Sequence, residues 1–261
     1  MIRIQQKWKR HSKPSESRLS EWALMQWVKD RTGRFSQRPH YLPEELDAEC
    51  ENLVCDFLRS RHQSVRYPIS TDDLTVLLES LADDLDLYAD LSQEEGEVEG
   101  VTDFFRGRRP KVRVSNRLSS DPRLINRLRT TLTHELGHVK FHAFMFDGPS
   151  TGSLFPAQSP ELSNKCKREN MLQASRADWM EWQAGFTCGA FLMPASALRE
   201  TIRRFMEDRK AAIARFALGS EEGESLINAA ANQFQVSRDA ARVRLLQKGA
   251  LTALGTDATL F

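Results

Sequence analysis

Three of the six histidines of the chain lie within nine residues of one another, in the stretch THELGHVKFH at residues 133–142. His134 and His138 are four residues apart with Glu135 between them, which is the H-E-x-x-H spacing of a zinc site on a helix. Because this spacing is one helical turn, both imidazoles can reach one metal ion. His142 continues the row about 12 Å from His134 along the helix axis, too far to share that ion easily. We expect His142 to be a cleft-wall or surface residue.

The apolar residues of this segment fall on one side of a helical wheel, with His134 and His138 roughly opposite them. This apolar stripe consists of Ile125, Leu128, Leu132, Leu136 and Val139. The helix would therefore pack its leucines on a core and turn the two histidines to another surface. This arrangement argues against histidines that are merely hydrogen-bonded within a core.

A third metal ligand is needed, because a catalytic zinc site usually combines three protein ligands with one open position. Glu181 lies in the middle of a helical face of small residues, which lets another helix approach closely. The face consists of Ala174, Ala177, Ala184, Gly185, Cys188 and Leu192. A carboxylate in such an interface is costly unless it meets a cation. That cation would be a zinc ion on the neighbouring helix or an arginine, unless Glu181 points along the rim into water.

The two segments TLTHELGHVKFH and EWQAGFTCGAFLMP together resemble the ImmA/IrrE family of zinc-dependent, gluzincin-like metallopeptidases. The stretch VEGVTDFFRGRRPKVRVSNRL is similar to the glycine-containing hairpin of that family, and NQFQVSRDAARVRLLQKG to its C-terminal helices, so the resemblance covers roughly residues 47–249. It implies that His134, His138 and Glu181 bind Zn²⁺ and that Glu135 is the catalytic base. The chain departs from the family pattern in having Gly185 where asparagine is usual, and Thr187-Cys188 in place of an alanine pair.

The resemblance also implies an activity, which is hydrolysis of peptide bonds in a specific regulatory protein such as a transcriptional repressor. Glu135 would take a proton from the attacking water and deliver it to the leaving amine. The alternative is a regulatory binding protein of a toxin–antitoxin or phage/mobile-element system, which acts by association with protein or DNA without proteolysis.

The C-terminal segment bears on the DNA alternative. Two helices joined at Gln235-Val236 are compatible with a helix-turn-helix, and three arginines add positive charge to the second helix. These are Arg238, Arg242 and Arg244. The apolar residues of the same segment are those that a packed helical hairpin needs, so packing or substrate docking is favoured over DNA binding.

The pattern of helices and strands predicts a mainly helical α+β fold with a small antiparallel sheet of about three strands and the H-E-x-x-H helix. The resemblance implies that these elements form a minimal zincin core. We expect three regions: a basic N-terminal arm with a short helix (1–40, the helix at 20–33), a zincin-like metallopeptidase domain (41–195) and an all-helical C-terminal segment (196–261). Pro43, Ser70 and Asp121 mark helix starts. A loop is expected at 147–160, a return to helix near 161, and a strong helix at roughly 174–193.

Composition sets the broad class. The chain has 261 residues, a net charge of +1 and 40% hydrophobic residues, values typical of a soluble protein with one large domain or two small ones. It contains no apolar run long enough for a membrane span and no signal-peptide core, so we expect a cytoplasmic protein without membrane partners. The four cysteines are scattered, which favours reduced thiols over disulfides.

Overall fold

A computed structural model of the chain describes residues 26–146, 162–167, 178–209 and 215–252. The chain divides into two compact units, residues 1–42 and 43–261. In the first unit, strand β1 (Gln26–Lys29) pairs with antiparallel strand β2 (Gln37–His40). The short helix predicted for residues 20–33 is therefore wrong over β1. Residues 20–25 and the basic arm before them lie outside the described residues.

The turn after β1 explains why no helix forms there. The Asp30 carboxylate accepts hydrogen bonds from the backbone N–H groups of Thr32 (2.9 Å) and Phe35 (3.0 Å). A short polar side chain that binds nearby backbone groups competes with helix formation. Gly33 has a φ of 78° within this turn, so it serves the hairpin and does not end a helix.

The second unit begins with two helices, α1 (Pro43–His62) and α2 (Thr71–Leu81), whose starts were predicted correctly. Pro43 occupies the first helical position of α1, where the missing N–H costs nothing. Ser70 caps α2: its hydroxyl accepts from the Asp73 N–H at 3.0 Å and donates to the Asp73 carboxylate at 2.7 Å. Pro43 and Ser70 therefore mark where the two helices begin.

A four-stranded sheet follows. Its strands are β3 (Asp84–Ala89), β4 (Val98–Phe105), β5 (Arg108–Ser115) and β6 (Leu162–Lys167), in the spatial order β3-β5-β4-β6. Strand β4 is antiparallel to both β5 and β6, whereas β3 runs parallel to β5. The expected antiparallel sheet of about three strands is therefore corrected to a mixed sheet of four.

The parallel pairing in the sheet follows from the way its strands are connected. The tight turn at Gly107, which has a φ of 69°, joins β4 and β5 as an antiparallel hairpin. Strand β3 then pairs with the far edge of β5, and this crossover makes the pair parallel.

Strand β6 lies where a return to helix was expected, and that expectation is wrong for Leu162–Lys167. The loop predicted at 147–160 lies outside the described residues.

One long helix packs against the sheet and against a second helix. A short helix α3 (Asn116–Ser120) and a 3-10 turn (Pro122–Leu124) capped by Asp121 lead into α4 (Ile125–His142). Helix α4 packs against β4 on one side and against α5 (Trp179–Leu192) on another. The predicted helix end before Pro194 is confirmed, while residues 174–177 at its expected start lie outside the described residues.

The C-terminal segment contains helices α6 (Ala195–Arg209), α7 (Glu221–Phe234) and α8 (Arg238–Gln247). Gln235, with a φ of 49°, ends α7, and the Ser237 hydroxyl caps α8. The segment is not all-helical, because β7 (Phe216–Ala217) and β8 (Leu251–Thr252) form a short parallel pair. Residues 43–261 remain one compact unit that includes this segment.

Two buried arginines attach the C-terminal helices to the rest of this unit. Arg129 of α4 donates to the carbonyl oxygens of Phe234 (3.2 Å), Gln235 (3.1 Å) and Ile69 (2.6 Å), so it caps the end of α7. Arg244 of α8 is 1% exposed. Its guanidinium donates to the Met193 carbonyl at 3.2 Å and to the Asp47 carboxylate at 2.6 Å.

The fold class is confirmed as mainly helical α+β, with eight α-helices among the described residues and small sheets between them. Within the described part of the chain, we find no helix that combines the length and the apolar composition of a membrane span.

Candidate metal centre

Close approach of α4 and α5 creates the site. A Cβ atom added to Gly137 would lie 3.1 Å from the Ala184 Cα and would collide with the Thr187 hydroxyl, so only glycine fits this crossing. One turn away, the Thr133 hydroxyl donates to the Cys188 sulfur at 3.3 Å. The prediction that the small-residue face of α5 receives another helix is confirmed.

This crossing brings the three predicted ligands together. Nε2 of His134 lies 3.1 Å from Nε2 of His138. One carboxylate oxygen of Glu181 is 3.3 Å from the His134 Nε2, and the other is 3.2 Å from the His138 Nε2. Asp178 holds Glu181 in place, since its side chain accepts from the backbone N–H groups of Met180 (3.1 Å) and Glu181 (3.4 Å) at the start of α5.

These separations fit a metal ion. Three ligand atoms at about 2.0–2.2 Å from a tetrahedral zinc ion lie about 3.3 Å from one another. All three side chains are buried, and the Glu181 Oε2 has no hydrogen-bond partner among the described residues. A carboxylate oxygen in that state is expensive unless a cation faces it. His134, His138 and Glu181 can therefore hold a metal ion.

Mutual attraction within the cluster appears in its pKa values. Burial alone would raise the pKa of Glu181, but the His138 and His134 imidazoles outweigh burial and hold that pKa below its usual range. Burial alone would lower the pKa of His138, yet the Glu181 carboxylate raises it above its usual value. The site therefore favours a carboxylate that faces positive charge.

The helical wheel predicts that the histidines lie on a separate surface of α4, but the structure buries that surface. His134 and His138 are both 0% exposed, because α5 and the sheet cover the side of α4 opposite its leucines. A helical wheel identifies separate faces but not what covers them, so the prediction of distinct faces is right, and it is α5 that covers the face with the histidines.

Glu135 lies beside the ligands on α4 and packs against β4. The Thr102 hydroxyl of β4 donates to its Oε2 at 2.5 Å, and Oε1 has no hydrogen-bond partner among the described residues. A Cβ on Gly100 would lie 2.9 Å from the Glu135 Cδ, so glycine in β4 makes room for the carboxylate. Burial raises the pKa of Glu135, although the His138 and His134 imidazoles oppose this rise.

A cysteine that the sequence did not point to joins this group. The Cys166 thiol of β6, the Glu135 carboxylate and a His134 nitrogen lie within 4.8 Å of one another. Burial, and next the Glu135 charge, raise the pKa of Cys166 well above its ordinary value, so the thiol stays protonated. No disulfide involves this residue.

His142 lies outside the ligand set, as its distance along α4 predicted, but it is 0% exposed and not a surface residue. Its Nδ1 is 3.0 Å from the His138 Nδ1, and its Nε2 is 3.0 Å from the Gln183 Oε1. Burial and the neighbouring His138 hold the pKa of His142 well below its ordinary value. The Asn164 amide of β6 also reaches His138, at 3.3 Å.

Four residues of the site therefore escaped sequence analysis: Thr102, Asn164, Cys166 and Gln183. Two come from β6 and one from β4, and no local pattern says which strand residues face a neighbouring helix. Gln183 had a weak signal, because a polar residue on an otherwise apolar helix is buried only when it is hydrogen-bonded.

A cavity of about 620 Å³ lies away from this centre, between α1, α6 and α7. Acidic and basic side chains line it together, including Glu51, Arg59, Glu200 and Arg204. None of the residues that line it belongs to the metal cluster, so the cavity does not contribute to the chemistry of that site.

In comparisons with known proteins, no protein-family model and no curated protein matches this chain. The chemistry of the centre must therefore be argued from its own residues and their geometry.

Proposed function

We propose that the chain is a zinc-dependent endopeptidase. One observation carries the proposal: the buried Nε2 atoms of His134 and His138 lie 3.1 Å apart, the two carboxylate oxygens of Glu181 lie 3.2 and 3.3 Å from them, and Glu135 is adjacent on the same helix. Two histidines and one carboxylate are the ligand set of a catalytic zinc site that keeps its fourth position open.

The ion would supply Lewis acidity, which makes water more acidic and polarises a carbonyl group. Glu135 supplies the general base. Its Oε2 is held by Thr102, whereas its Oε1 has no partner among the described residues and can accept a proton from the attacking water. The raised pKa of Glu135 suits this role, because a stronger base takes the proton more readily. Glu135 then gives that proton to the leaving amine, which leaves a free carboxyl and a free amino terminus.

The proposed substrate is a regulatory protein, in the first place a transcriptional repressor, and the proposed compartment is the cytoplasm. The substrate class is supported by the resemblance to ImmA/IrrE peptidases alone. The compartment is supported by the four unpaired cysteines, since thiols persist where the surroundings are reducing.

The metal is tested first, by elemental analysis of protein purified without chelator or metal-binding tag. Wild type is expected to contain about one zinc ion per chain, and Glu181→Gln much less, because an amide replaces the anionic ligand. Glu135→Gln is the matched control, since it neutralises the adjacent carboxylate and leaves all three ligands in place. Wild-type protein that stays metal-free after zinc is added back would refute the proposal.

Hydrolysis is tested next, by incubating zinc-loaded wild type and Glu135→Gln with candidate repressors and identifying new amino termini by mass spectrometry. We expect cleavage by wild type alone. Equal cleavage by both proteins would show that Glu135 is not the base. A biological effect that persists in Glu135→Gln would favour the alternative, in which the chain acts by association.

A further inference from the structure

We infer that His142 is a positioning residue that fixes the ring of the metal ligand His138, as part of a hydrogen-bonded chain from His138 through His142 to Gln183. The inference rests on the proposed metal centre and adds a role to a residue outside the ligand set. Its basis is two contacts of 3.0 Å, His138 Nδ1 to His142 Nδ1 and His142 Nε2 to Gln183 Oε1. All three residues are at most 1% exposed.

Proton positions along this chain follow from the chemistry of imidazole. A histidine that offers its Nε2 to a metal ion and stays neutral carries its proton on Nδ1. The Nδ1 of His138 therefore donates, and the Nδ1 of His142 must accept. The remaining proton of His142 is then on Nε2, where it meets the carbonyl oxygen of the Gln183 amide. This arrangement of protons satisfies both contacts of the chain.

Asn164 is the competing partner of His138. Its amide nitrogen lies 3.3 Å from the His138 Nδ1, but an NH2 group cannot accept a proton from a donor. The same NH2 group of Asn164 also donates to the Met180 sulfur at 3.9 Å. The shorter contact, to His142, is therefore the one that orients the ring. Trp179 holds the His142 ring from the side, with centroids 5.3 Å apart and planes at 89°.

The chain also joins the two helices that carry the ligands. His138 and His142 belong to α4, whereas Gln183 belongs to α5, two residues after the ligand Glu181. A hydrogen bond from His142 to Gln183 therefore resists sliding of one ligand-bearing helix along the other. Partners that orient a metal-bound histidine typically contribute about 10- to 100-fold to metal affinity.

Zinc affinity tests the inference, measured by competition with a chromophoric chelator on the full chain. His142→Leu keeps the bulk but removes the acceptor, so we expect a loss of about 10- to 100-fold. In His142→Asn the side-chain oxygen can take the place of Nδ1, and affinity is expected to return to within about threefold of wild type. Asn164→Ala is the control and should lose less than His142→Leu. The absorption spectrum of the Co²⁺ form should change in His142→Leu and recover in His142→Asn.

Each outcome decides the question. Equal affinity in wild type and His142→Leu would overturn the inference, and so would equal losses in the leucine and asparagine variants, because the acceptor would then be irrelevant. Should His142→Leu fail to fold, Gln183→Leu takes its place, with a loss of at least about threefold expected and unchanged affinity overturning the inference. Wild type that binds no zinc refutes the metal centre itself, whereas zinc binding without proteolysis refutes only the peptidase activity.

Discussion

The crossing of α4 and α5 makes a prediction that links packing to metal binding. In Gly137→Ala, the new methyl group would lie 3.1 Å from the Ala184 Cα and collide with the Thr187 hydroxyl. A backbone atom cannot swing aside as a flexible side chain can, so the two helices must separate. Gly137 lies one residue before His138, and Ala184 lies three residues after Glu181, so both flank proposed metal ligands. Separation of the helices therefore also separates the ligands.

The size of the effect follows from a comparison with Gly189→Ala in α5. Both substitutions gain about 1 kcal/mol of intrinsic helix propensity, so this gain cancels between them. At Gly189 the nearest atom to a new Cβ is the Arg244 Cδ at 3.4 Å, an ordinary contact. At Gly137 overpacking costs about 1–3 kcal/mol. Gly137→Ala should therefore be about 1–3 kcal/mol less stable than Gly189→Ala, or about 2–12 °C lower in Tm.

Two measurements check this prediction. Urea unfolding of both variants in chelator gives the stability difference without metal, and chelator competition gives the zinc affinity. We expect Gly137→Ala to bind zinc about tenfold more weakly or worse, because ligand atoms must lie within about 0.2 Å of their ideal distances. Equal stability and equal zinc affinity in the two variants would show that the close crossing does not position the ligands.

Two further predictions concern the arginines. Arg129→Met should lower the free energy of unfolding by about 3 kcal/mol or more, since three buried carbonyls lose their donor. Substitution of an exposed arginine, Arg123→Met, should change it by at most about 0.5 kcal/mol. Urea titration measures both variants, and equal effects would contradict this reasoning. Replacing Arg238 and Arg242 with glutamine should give the same affinity for duplex DNA as wild type at every salt concentration between about 50 and 200 mM. Phosphate contacts weaken over roughly that range. A salt-sensitive loss in fluorescence anisotropy would instead favour the DNA alternative.

The parts of this molecule that were predictable from sequence depend on short-range chemistry. Ser70 and Pro43 mark helix starts because the groups that cap a helix lie within three residues of it. The ligand spacing on α4 was equally local, since one helical turn separates His134 from His138. Even the meeting of Glu181 with α4 had a local signal, the run of small residues that permits close helix packing.

The parts that escaped prediction depend on contacts between distant segments. The parallel pairing of β3 with β5 is set by a crossover that neither strand encodes. Thr102 reaches Glu135 across 33 positions of the chain, and the identity of a single strand residue does not reveal that contact. The turn at Asp30 escaped prediction for another reason: its side chain binds nearby backbone N–H groups, and this bonding competes with the helix that was expected there.

The C-terminal arginines show how burial changes the meaning of a charge pattern. On the sequence alone, three arginines on α8 give a basic helix suited to phosphate contacts. In the structure, Arg244 is buried against Asp47, Arg238 pairs with Glu224 and Asn228 of α7, and Arg242 pairs with the preceding acid of its own helix. A guanidinium that is already paired must exchange that partner for phosphate, which reduces the gain from DNA binding. Helix α8 therefore serves the fold, by joining α1 and the end of α5 through Arg244, better than it would serve a DNA groove.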